Sequence, residues 1–288
     1  MATVPWALMG SRRMPLAIAL AAVAVASGAV TCGLLSSGDQ SELETMAGHG
    51  LGFEIFLGIL AFAGAALSPG SAWERLGLRP GRLSAGQTVL LILGTLGASL
   101  ALDGLLDLTG LKEQGSLGEF TRRIAGIRGR ALLLSLLAFG LAPGISEELL
   151  CRGLLQRGLV RRLGAPVGIL LASAIFGALH VDPIHAVSAV ALGLYLGIAS
   201  HLAGGIRASI ACHIVNNLVA LGTGAFLPGA DAGGLPAIGA GGGTALVALW
   251  LVWRLAGSPP PLSEDGGDDA NSPGSEDEAP DPSFRGTV

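Results

Sequence analysis

The sequence predicts an all-α fold: a polytopic membrane helix bundle of about eight transmembrane helices, followed by a disordered acidic C-terminal tail. Three observations carry that expectation. Of the 288 residues, 51% are hydrophobic and only 13% are charged, about half the charged share of a soluble domain and too little polar surface to cover one of this length. Mean hydropathy is +0.64. Apolar runs near the 20-residue length that crosses a bilayer recur along the chain. This composition excludes a wholly disordered chain, a disulfide scaffold and a basic nucleic-acid binder, so no nucleic-acid partner is expected.

The spans are read at about residues 14–35, 51–67, 87–106, 131–155, 166–180, 184–203, 206–226 and 237–255. The first follows Arg12 and Arg13 and has no clean cleavage site, which favours an uncleaved span over a secretory signal. Cytoplasmic loops are enriched in Lys and Arg. Arg12 and Arg13, then Arg75, Arg79 and Arg82, then Arg157, Arg161 and Arg162, then Arg207, and finally Arg254 mark one side. Residues 36–50 contain no Lys or Arg and read as a loop on the other. Both termini are therefore expected in the cytoplasm. Residues 107–130 break the alternation with Lys112, Arg122, Arg123, Arg128 and Arg130. Within them Leu117, Phe120, Ile124 and Ile127 recur at helical spacing, as in a helix lying on the membrane surface. Either that helix is an exception to the charge rule or the third span is misplaced.

The chain divides into a bundle, 1–257, and a tail, 258–288. The tail holds 8 of the 21 acidic residues and one of the 17 basic ones. Its Pro, Gly, Ser, Asp and Glu cannot bury enough surface to offset ordering. The glycines near 229–243 read as a flexible loop, and no phosphate-binding context surrounds them. Cys32, Cys151 and Cys212 form no close pair and read as packing residues.

Ionisable groups inside a membrane cost about 2.5–3.5 kcal/mol each on insertion scales, so they mark candidate sites. They cluster in three segments: Glu147-Glu148-x-x-x-Arg152, Phe176-x-x-x-His180 and His213-x-x-x-Asn217. Residues four apart share a helix face. Glu148 and Arg152 can pair, whereas Glu147 turns about 100° away. Three polar stripes that converge would form one water-accessible site. A carboxylate with an imidazole can take a proton from water, and a second imidazole with an amide can donate to an oxyanion. That is the chemistry of peptide hydrolysis, and no serine sits in a nucleophile motif. Glu147, His180 and His213 also make a His₂Glu set, the ligand class of catalytic zinc sites. Straight-helix arithmetic places His180 about 10 Å nearer the far side than Glu147 and His213. Asn216, His185, His201, His49 and Asp182 read as structural or loop residues. Glu54 and Asp103 read as span-end groups that reach water.

In order and spacing, the three motifs resemble those of the CAAX prenyl protease and bacteriocin-processing family of intramembrane endopeptidases, over roughly residues 131–221. The resemblance implies eight membrane helices and a glutamate-type protease. It implies that Glu147 with His180 activates water and that His213 and Asn217 form the oxyanion hole. Glu148 and Arg152 would hold the site together, with Phe176 packed beside His180. It points to metal-free chemistry with no cofactor, zinc on Glu147, His180 and His213 being the alternative. The implied partners are the lipid bilayer and a membrane-embedded or lipid-anchored polypeptide substrate. Arg in place of Lys at 16 of 17 basic positions, with abundant Ala and Gly, suggests GC-rich coding and a bacterial inner membrane. The competing readings are a non-catalytic scaffold or bacteriocin-immunity protein, and a proton-coupled transporter, whose paired repeats are not found.

Overall fold

The computed structural model describes residues 40–67, 70–180 and 182–257. The predicted first span at 14–35, Cys32 and the tail 258–288 lie outside them. Every regular element among the described residues is helical: α1 (Gln40–Ala66), α2 (Ala72–Arg75), α3 (Ala85–Thr109), α4 (Gly115–Ile124), α5 (Gly129–Leu163), α6 (Ala165–Ala178), α7 (Pro183–Ala203), α8 (Arg207–Phe226) and α9 (Leu235–Ala256). Six of these, α1, α3, α5, α7, α8 and α9, are long and apolar enough to cross a membrane. The predicted span at 166–180 is the 14-residue α6, about 21 Å long and short of a bilayer's hydrocarbon core of about 30 Å. Ile55 and Ile59 on α1, Val89 and Leu93 on α3, and Leu246 and Trp250 on α9 face outward, as lipid contact requires.

Local sequence sets the helix ends. Ser84 and Gln87 form a reciprocal capping box at the start of α3, and Gly110 ends it in the left-handed conformation, which glycine adopts without steric cost. The Arg-rich loops gather at one end of the bundle. There Arg82 donates to the carbonyls of Leu202 (2.7 Å), Ala256 (3.0 Å) and Gly257 (2.7 Å), and Arg207 donates to that of Leu78 (2.6 Å). At the opposite end Arg123 and Arg130 pair with Glu42 and Glu44 of α1 at 3.9 and 3.4 Å. The anomalous basic loop thus lies where the alternation of spans puts it. Its Lys112 bridges Asp103 and Asp107 at 3.0 and 3.1 Å, and Arg122 and Arg123 hold Glu119 at 3.0 and 2.7 Å. The helix expected near 117–127 is α4, and the third span stands as α3.

Without a hydrophobic force between helices in lipid, close backbone approach replaces it, and small residues allow that approach. This corrects the reading of 229–243 as a loop, because Gly239 and Gly241–Gly243 lie within α9. A Cβ on Gly97 of α3 would come 2.7 Å from the Gly241 carbonyl and 2.9 Å from Thr244 Cβ. Gly241 is therefore the point of close approach where α9 packs antiparallel on α3. Likewise residues 40–50, expected as loop, form the first turns of α1. Gly58 of α1 faces Ser146, and Gly64 faces Leu154, so α1 runs parallel to α5.

Helix α5 positions the site. Its 35 residues contain two π-helical stretches, Leu136–Leu141 and Leu149–Gln156, flanking the α-helical turn pair Ala142–Glu148. Pro143 has no N–H to donate backwards, so the ladder must adjust around it. π-Helical insertions often accompany functional sites. At Gly144 an added Cβ would sit 2.5 Å from Ile214 Cγ1 and 2.9 Å from its backbone nitrogen. This close crossing brings α8 against the Glu147–Glu148 turn.

Candidate functional site

Glu147 and Glu148 end the α-helical segment of α5 and are 7% and 0% exposed. Glu148 Oε1 accepts from Arg152 Nη1 at 2.6 Å and from His213 Nδ1 at 3.1 Å. Arg152 is 1% exposed; its Nη2 donates to the Gly193 carbonyl on α7 at 3.1 Å, and its guanidinium lies 4.3 Å over the Phe176 ring. A charge pair buried this deeply is tolerated only when its remaining donors are satisfied, and Arg152 binds α5, α6 and α7 in doing so. Gly193 leaves the room needed, since a Cβ there would meet the Phe176 ring at 3.0 Å and Arg152 Nη2 at 3.4 Å.

Glu147 forms no comparable pair. Its Oε2 faces His213 Nε2 at 3.8 Å. Because a carboxylate can only accept, the His213 Nδ1–H is committed to Glu148, and Nε2 is the nitrogen turned towards Glu147. Phe176 stands edge-on to both other rings, 5.0 Å from His180 and 5.8 Å from His213. His180 Nδ1 donates to the Phe176 carbonyl at 2.9 Å, which leaves its Nε2 lone pair free.

Helix α6 starts at the Arg-rich end, and the Phe176 ring links its terminal His180, 5.0 Å away, to His213, 5.8 Å away. Asp182 then starts α7, accepting from His185 N at 2.9 Å and from Ser116 N at 3.1 Å, which ties α4 over the turn. Asp182 is thus a helix cap and not a free loop residue. His185 packs on His180 with ring centroids 4.3 Å apart.

The structure therefore brings Glu147, Glu148, Arg152, Phe176, His180 and His213 into one cluster. Asn217 is half-buried one turn along α8 from His213. Asn216 is the more buried amide, and its Nδ2 faces Asn217 Oδ1 at 3.5 Å. Glu54 corrects its sequence reading. It lies mid-helix in α1, 6% exposed and hydrogen-bonded to Ser146, and not at a span end. Its signal was a lone carboxylate inside an apolar run, obscured because the run was started at residue 51.

The His₂Glu alternative requires Glu147, His180 and His213 to converge on one point. Glu147 and His213 approach each other, but Phe176 stands beside both imidazoles. Among the described residues no three His, Cys, Asp or Glu groups converge to hold a metal ion.

These features define a polytopic helical membrane protein with a buried carboxylate–imidazole site at the crossing of three helices. Residues 129–219 match the family model of the Rce1-like proteins, described as type II CAAX prenyl endopeptidase Rce1-like. The match spans all three motifs and bears out the resemblance they carry, to a family of membrane proteases. No curated protein and no solved structure matches the chain.

Proposed function

We propose that the protein is an intramembrane endopeptidase that hydrolyses a peptide bond of a membrane-embedded or lipid-anchored polypeptide with water activated by Glu147 and His180. The observation that carries this reading is the inequality of two adjacent buried glutamates. Glu148 is held by Arg152 and His213, both on Oε1, whereas Glu147 faces only an imidazole edge at 3.8 Å. A lock and a free base are what a glutamate-type hydrolase needs side by side. Glu147 takes one proton from water, with the free Nε2 of His180 orienting the water from the other side of Phe176. Hydroxide adds to the scissile carbonyl. His213 and the Asn217 amide lie along α8 to receive the oxyanion, Nε2 of His213 donating once it takes up the proton gathered at Glu147. That proton passes to the amine as the C–N bond breaks, and the proton left on the attacking oxygen then moves to the same nitrogen, leaving one new carboxylate and one new ammonium group. The chain's own groups carry this reaction, with no metal and no cofactor, in the membrane in which the bundle sits; the bacterial inner membrane is the setting its composition favours.

Comparing new peptide termini in host membranes carrying wild-type or Glu147→Ala protein at matched expression tests the proposal. Termini present only with the wild type support it and name the substrate. Identical termini, with the wild-type phenotype kept by the variant, identify a non-catalytic scaffold or immunity protein instead.

A further inference from the structure

Glu54 is a third buried carboxyl beside the two glutamates of the motif, and it is held differently from either. Its oxygen Oε2 is bonded to Ser146 Oγ, the residue immediately before Glu147. The same Oγ lies 2.6 Å from the Ala142 carbonyl. A hydroxyl has one proton, and a carbonyl can only accept. Both bonds are complete when the serine donates to Ala142 and the carboxyl brings a proton of its own to Oγ. Charge leads to the same assignment. Glu54 is 6% exposed, and among the described residues it makes no ion pair, whereas Glu148 has Arg152 and Glu147 has the His213 Nε2 at 3.8 Å. An unpaired buried carboxylate is far costlier than the neutral acid. The charged and titratable groups within electrostatic reach of Glu54 are Glu147 and Cys151 on α5 and His213 on α8. Gly58, one turn on, faces the same serine: a Cβ added there would lie 3.8 Å from Ser146 Cβ.

Resting on the proteolytic reading above, we propose that Glu54 and Ser146 form a proton-placing pair. Ser146 holds the proton on Glu54, so that of two neighbouring carboxyls it is Glu147 that stays ionised and available to water. Two carboxyls close together in a site of low polarity share protons as a unit, and the serine decides which one is neutral. Glu54 is a positioning residue in this scheme. It acts through Glu147 and need not touch substrate.

The test has two arms. In the first, infrared difference spectra of the purified protein at neutral pH compare wild type with Glu54→Gln and Ser146→Ala. The expected result is a protonated carboxylic acid band that Glu54→Gln removes and Ser146→Ala shifts. A carboxylate signature for Glu54 overturns the proposal whatever the activity. The second arm follows the rate at which Glu147-dependent termini appear in membranes. Ser146→Ala is expected to slow it on the order of tenfold, because the proton then resides partly on Glu147. The double variant Glu54→Gln/Ser146→Ala is expected to recover most of the loss, since no second carboxyl remains to exchange with Glu147. A merely structural hydrogen bond predicts no rescue, and absence of rescue in a folded double variant overturns the proposal. If Glu147→Gln itself leaves the termini unchanged, the proteolytic reading fails and takes this role with it, while the infrared arm still reports the proton on Glu54.

Discussion

Replacing Arg152 with Leu tests whether the Glu148–Arg152 pair is the lock of the bundle. The substitution removes a 2.6 Å ion pair at 1% and 0% exposure, the 3.1 Å bond to the Gly193 carbonyl and the 4.3 Å contact with the Phe176 ring. Breaking one partner of a buried pair costs about 3–5 kcal/mol, because the other charge is left uncompensated. The lost carbonyl bond and ring contact overlap with that figure, since interactions sharing one side chain are not additive. An exposed pair of the same geometry would cost about 0–1 kcal/mol. Cys151 and Cys212 are buried and free, so a thiol-reactive dye reports unfolding directly in a protein carrying Cys32→Ser. The expected fall in melting temperature for Arg152→Leu is on the order of 10 °C. Glu148→Gln/Arg152→Leu is expected to melt above Arg152→Leu, because no bare carboxylate remains and Gln can still accept from His213. A single-variant loss of only a degree or two, or a double variant that is simply the sum of the singles, would refute the buried-lock reasoning.

Three further outcomes are expected. Gly144→Val places a branched side chain against the Ile214 backbone, where an added Cβ already lies 2.9 Å from its nitrogen; overpacking of this kind costs about 1–3 kcal/mol, and activity is expected to fall more steeply than the melting temperature because α8 carries His213. Hydrogen bonds from Arg122 and Arg123 hold Glu119 below its ordinary value of 4.5; their hold on α4 is complete above that pH and fades as pH falls below it, so amide exchange in residues 115–124, corrected for intrinsic rate, is expected to quicken only on acidification past that value. Incubating the purified protein with a strong chelator and then exchanging it into metal-free buffer is expected to leave cleavage unchanged, and a loss restored by zinc would favour the Glu147, His180 and His213 ligand set.

Most of the site was legible because its residues violate membrane composition. Glu147, Glu148, Arg152, His180 and His213 stand out in apolar runs, and their four-residue spacings survive folding as shared faces. Seven of the eight predicted spans fall on described helices, one of them too short to cross. What stayed hidden depended on partners distant in sequence. Glu54 looked peripheral because the polar turns at Ser41–His49 read as loop, although α1 begins there and puts residue 54 at mid-length. Gly241 looked like part of a flexible entry, since only the presence of α3 makes its missing side chain a packing contact. The separation of His180 from His213 along their helices was legible, but the Phe176 ring that links the two imidazoles was not. Asn216 and Asn217 were separated by helical angle alone, yet the structure sets the two amides face to face.

The most direct measurement uses the substrate named by the membrane termini, reconstituted in vesicles with purified wild type or Glu147→Gln. Gln keeps the shape of the neutral acid but cannot take a proton from water. If Glu147 is the base, cleavage falls by about 10²–10⁴-fold, with the melting temperature held near that of the wild type. A Glu147→Gln protein that cleaves within a few-fold of wild type would contradict the account.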